Sequence, residues 1–126
     1  MAFKLGSENR EYKIPGKTPI FRKTLEEGVQ AEANMDGSIY ISSDIPVNSK
    51  KFKQAVNHEM KHLEQMETGR AAYGDEWVMW QGDIFFRKEV NGEKVIDGPN
   101  GRWPEGHPNH PWEQEAIQAE DNNLQN

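Results

Sequence analysis

The run His58, Glu59, Met60, Lys61, His62 is the part of this sequence whose residue types and spacing could do chemistry. Two His four positions apart on a helix project from one face a turn apart, so their rings can grip a single metal ion. Glu59 falls about 100° round the helix from His58, where its carboxylate can reach a water on the metal rather than the metal itself. Zinc held in this way lowers the pKa of its water from about 15.7 to about 7, and the carboxylate takes the proton as a polarised carbonyl is attacked. The expected chemistry is zinc-assisted hydrolysis, with His58 and His62 as ligands and Glu59 as general base.

Composition alone would produce an HExxH match in roughly one or two of every hundred such chains. The surroundings argue more strongly than the match. Phe52, Ala55, Val56, Leu63 and Met66 recur at helical spacing as one apolar stripe, and Glu59 lies in its middle. An unpaired carboxylate there costs several kcal/mol of desolvation, and no structural need calls for it.

Two His do not complete a zinc site, so a third ligand is required. The chain has no Cys, which excludes thiolate zinc sites, disulfides and Cys-held iron–sulfur clusters. Asp75, Asp83, His107, His110, Glu113 and Glu115 are chemically suitable. A metzincin would place Gly and His three and six residues after the second His; Gln65 and Thr68 stand there, so that subclass is excluded. Glu113 and Glu115 follow Pro111, which suits the first position of a helix, where the dipole favours acids. They point about 200° apart round that helix.

HExxH followed on a later helix by a Glu three residues before an Ala, here Glu113 and Ala116 in PWEQEA, resembles the gluzincin-type metallopeptidases. The resemblance implies His58, His62 and Glu113 as zinc ligands, Glu59 as the catalytic Glu and Ala116 as the small residue where the two helices meet. It implies a zincin-like fold, a peptide or protein substrate, and residues 39–41 as the sheet edge along which an extended substrate lies antiparallel. The sequence departs from the pattern at Ile117, where many members carry an Asp that orients a zinc-bound His. HEMKH, a Trp-rich hairpin and a Gly- and Pro-rich loop entering PWEQEA are also similar to small metallopeptidases of tailed bacteriophages. That likeness implies a cytoplasmic or virion-associated phage protein, with partner proteins in an assembly and a non-catalytic structural zinc site as the alternative role.

The elements that must position these residues can be read in outline. Ser49 suits a helix N-cap and Gly69 a stop, which predicts a helix over residues 50–68. Asp36 and Gly37 separate two short apolar runs, residues 29–33 and 38–42, as a β-hairpin. Residues 77–81, 84–90 and 93–96 read as three strands of a meander, joined at Gly82–Asp83 and Asn91–Gly92. Residues 1–24 and 97–110 carry Gly, Pro and Asn without periodicity and read as irregular. The expected architecture is α+β: one zincin-like domain over residues 1–120, with a small sheet, the HExxH helix, an inserted meander and a short C-terminal helix, then a disordered tail over 121–126.

Composition bounds the rest. With 126 residues, 34% of them hydrophobic, the chain can bury one modest core, weighted to aromatics such as Trp77, Trp80, Phe85, Phe86 and Trp103. A net charge of −6 with scattered Lys and Arg leaves no stripe for a phosphate backbone, so nucleic acid is not expected as a partner. Residues 1–10 lack the apolar core of a signal peptide, and no run approaches a membrane span. Tyr73, Arg102, His107 and His110 are the candidate donors for a developing oxyanion.

Overall fold

Ser49 starts the helix that carries the motif: its hydroxyl accepts from the Phe52 amide at 3.1 Å, and α1 (Lys50–Glu67) runs to a left-handed Gly69 at φ +80°. The positive φ is why the helix stops there. A computed structural model describes residues 2–3 and 18–122. The readings of residues 4–17 as irregular and of 123–126 as a tail lie outside the described residues.

Four strands form the first sheet: β1 (Ala2–Phe3), β2 (Ile20–Lys23), β3 (Ala31–Ala33) and β4 (Ile39–Ser42), in the order β1-β3-β4-β2. β3 and β4 are the expected antiparallel hairpin, turning through Gly37 at φ +91°. β1 and β2 add to it in parallel on either side. Residues 20–23 are therefore a strand where irregular backbone is expected. Parallel pairing is a long-range event that local pattern does not encode; Arg22 secures it by donating to the Ser43 and Ile45 carbonyls at 2.8 and 2.9 Å. One expectation is overturned: residues 39–41 are not a sheet edge, because β4 is bonded to β3 on one side and β2 on the other.

On one face of this sheet Ala31, Ala33, Ile39 and Ile41 pack with Ile45 against Ala55 and Leu63 of α1. The small residues of β3 let the helix lie close. The stripe predicted on α1 is thus the face turned to the sheet, with Glu59 within it.

The second sheet is a five-stranded antiparallel meander: β5 (Ala71–Tyr73), β6 (Trp77–Trp80), β7 (Asp83–Val90), β8 (Glu93–Gly98) and β9 (Gly101–Pro104). Three of these strands are legible in the sequence. β5 is only three residues long, and β9 lies in a stretch whose Gly and Pro signal only a loop. The β6–β7 turn is Gln81–Gly82, at φ +50° and +92°, one residue earlier than expected; Asp83 is already paired with Trp80. Asn91–Gly92, at φ +53° and +81°, forms the other tight turn as expected.

α2 (Pro111–Ala119) closes the structure, with Pro111 in its first turn. Trp112 is 1% exposed and anchors the core of the second sheet with Tyr73, Val78, Trp80 and Ile96. Among the expected core aromatics Phe85 packs against that cluster, whereas Phe86 is exposed. The domain is α+β, and both sheets serve to hold α1 and α2 face to face. No helix among the described residues is long and apolar enough to cross a membrane.

Candidate metal centre

α1 presents His58 and His62 a turn apart, with ring centroids 5.0 Å apart and planes at 73°. α2 brings Glu113 across from them. Its Oε1 lies 2.9 Å from His58 Nε2 and 3.2 Å from His62 Nε2. One ligand atom from each of the three residues falls within 4.8 Å of the others, close enough to hold a metal ion. Ala116, wholly buried on the same helix, keeps the contact between α1 and α2 close.

The outer nitrogens of both rings are engaged. His58 Nδ1 is 2.8 Å from Glu120 Oε2, a carboxylate that can only accept. His62 Nδ1 is 3.0 Å from Gln65 Oε1. The Gln65 amide can be oriented from its other contacts: its Nε2 donates to the Trp112 carbonyl and to Glu115 Oε1, each at 3.1 Å, so Oε1 is the atom left to accept from the ring. In its neutral form each imidazole therefore carries hydrogen on Nδ1 and directs an Nε2 lone pair at a carboxylate oxygen. With both rings neutral, three acceptors would converge with no donor among them, a conflict relieved either by a proton shared in a His–Glu113 salt bridge or by a metal ion. Glu113 Oε2 is buried with no hydrogen-bond partner among the described residues, which leaves it free to join a ligand.

In the absence of metal, a proton is the only cation available. Burial alone would lower the pKa of His62; attraction to Glu113 and the hydrogen bond with it, aided by Glu59, outweigh burial and raise it to about 9. Burial likewise works to raise Glu113, but His62 and His58 draw it down to about 2. Glu59 is different. It is 0% exposed, neither of its oxygens has a hydrogen-bond partner among the described residues, and burial lifts it to about 7 against the pull of both His. A group so placed can hold or release a proton near neutral pH.

The remaining sequence candidates lie elsewhere. Asp75 and Asp83 are exposed. His110 caps α2, stacks on Trp112 with centroids 4.7 Å apart, and donates from Nε2 to the Trp103 and Pro104 carbonyls. His107 stacks on Trp103 and accepts from the Asn109 amide. Arg102 is paired with Asp97, and Tyr73 meets the Met35 backbone. Glu115 pairs with Arg70 at 2.9 Å and touches the centre only through Gln65. Two residues of the centre escape the sequence motifs, Gln65 and Glu120. Their signal is spacing: Gln65 is three residues after His62, and Glu120 is seven after Glu113.

The centre is closed to solvent, with His58, Glu59, His62 and Glu113 all at 3% exposure or less. Comparison with protein families, curated proteins and solved structures found no match.

Proposed function

We propose that this protein is a zinc-dependent metallohydrolase, most simply a peptidase, in which His58, His62 and Glu113 hold the metal and Glu59 is the general base. The observation that carries the reading is the convergence of three buried acceptors beside a second buried acid, Glu59, whose oxygens have no hydrogen-bond partner among the described residues. The donor set of two imidazoles and a carboxylate suits zinc and leaves a coordination position open. No other described His, Asp, Glu or Cys joins the cluster, as a closed structural site of four ligands would need.

When bound, zinc supplies Lewis acidity to a carbonyl and to water. The chain's own residues do the rest. Glu120 and Gln65 hold the ligand rings, and Glu113 supplies negative charge on the α2 side. Glu59, one residue from His58 and buried beside the three ligands, takes a proton from water at a carboxylate oxygen and returns it to the departing amine. Glu59→Gln should retain zinc and lose hydrolysis by about 10²- to 10⁴-fold, the usual contribution of a positioned base; turnover at the wild-type rate would remove Glu59 from that role.

The closure of the centre favours a second reading, in which the metal is a clasp between α1 and α2 in a protein of a larger, phage-type assembly. The two readings differ at Glu59. A clasp gives that carboxylate no task, so its loss would cause no functional defect in assembly, whereas a hydrolase is disabled.

A further inference from the structure

The two ends of the His58 ring are held by one face of α2 and its C-cap. Glu113 meets Nε2 at 2.9 Å and Glu120 meets Nδ1 at 2.8 Å. Seven residues are close to two turns, so Glu113 and Glu120 lie about 20° apart round the helical path and their backbones about 10.5 Å apart along it, and the two side chains converge on opposite nitrogens of the imidazole between them. Ile117, where the gluzincin pattern would put its Asp, is 39% exposed at the margin of this face.

Glu120 is itself fixed from α1. Asn57, the neighbour of His58, donates from Nδ2 to the Glu120 and Asn122 carbonyls at 3.0 and 2.7 Å, and Gln54 donates to Asp121 at 2.9 Å. The turn after α2 is thereby tied to the helix whose ligand it orients. His62 is backed differently, by the neutral Gln65, whose amide is fixed by Trp112 and Glu115.

From this geometry we infer that Glu120 is the positioning residue of the metal centre, orienting His58 for coordination, with Gln65 in the corresponding place behind His62. The inference rests on the metal-centre reading. Glu120 touches no reacting atom; it acts by fixing which nitrogen of His58 carries hydrogen and the plane in which the ring is held. The two His are consequently held by different acceptors, His58 by a carboxylate and His62 by an amide oxygen.

The test is competition for zinc between the full chain and a chelator of known affinity. Glu120→Ala should weaken zinc binding about 10- to 100-fold, as loss of an outer partner of a metal-bound His does. Glu120→Gln, which keeps an accepting oxygen, should recover most of that loss. Unfolding of the metal-free proteins in urea should differ little between wild type and Glu120→Ala, since the side chain is partly exposed. In the zinc-loaded protein, proton NMR should show one downfield Nδ1–H resonance from each ligand ring, and Glu120→Ala should move that of His58 and leave that of His62. Wild-type affinity in Glu120→Ala, or an unmoved His58 resonance, overturns the inference. Absence of zinc binding by the wild-type protein instead overturns the metal-centre reading on which it stands.

Discussion

Glu59 is the residue that the fold explains least and the chemistry explains best. It lies in the apolar stripe of α1, both its oxygens lack hydrogen bonds among the described residues, and burial raises its pKa to about 7. Such a group should be a liability to stability. Replacing it by Met, close in volume, should stabilise the metal-free protein by about 1–3 kcal/mol at pH 8, the cost of a buried polar group without partners. Urea unfolding checks this, and a loss of stability would mean that Glu59 has structural partners after all. The same residues set the pH dependence of the metal-free protein. A His whose folded pKa is raised contributes stability that is present below its unfolded value of 6.5 and lost as pH rises, for His62 through about 9. Glu59, raised to about 7, also loses its contribution as pH rises from its unfolded value of 4.5. Glu113, lowered to about 2, contributes above 4.5 and fails only in strong acid. Metal-free stability should therefore fall between pH 5 and 9. Zinc binding competes with protons, so the rise in unfolding temperature on adding zinc should grow over the same range. A zinc increment that shrinks with rising pH would contradict the ligand set.

At the scale of elements, the centre depends on two helices at close approach. Ala116 is fully buried where α2 meets α1. Ala116→Leu should cost about 1–3 kcal/mol by overpacking and should also weaken zinc binding, because it drives Glu113 away from the two His; calorimetry with and without zinc separates the two effects. The elements that bear the chemistry are those the sequence displays most clearly. α1 has its cap, stop and periodicity in one continuous stretch, and Pro111 announces α2 in the same local way. Gln65 and Glu120 were not legible as parts of the centre, because what they touch is set by the packing of one helix on the other. β2 is not legible in the sequence for a related reason: its partner, β4, is distant in sequence and parallel. β4 was recognised as a strand, but its internal place depends on β2, so its reading as an edge failed. The resemblance to gluzincin-type peptidases led to Glu113, which lies at the centre, while its outer Asp has no counterpart at Ile117.

For the molecule as a whole, two small sheets hold a sealed polar centre between two helices, at a place where a chain this size would ordinarily put apolar side chains. Six polar side chains, from His58, Glu59, His62, Gln65, Glu113 and Glu120, lie between α1 and α2 or beneath α1. Ion pairing alone seldom gives net stability in such surroundings, because desolvation offsets the attraction. A bound metal makes that investment intelligible, and removing it should be felt through the entire fold. The most direct test is the zinc content of the purified protein after exhaustive dialysis, measured together with its thermal unfolding with and without chelator, for wild type, Glu113→Ala and Glu115→Ala. One zinc per chain in wild type and in Glu115→Ala, none retained by Glu113→Ala, and a chelator-induced fall in unfolding temperature only for the two that bind, is the predicted result. A wild-type protein without stoichiometric zinc, whose unfolding chelator leaves unchanged, would contradict the account.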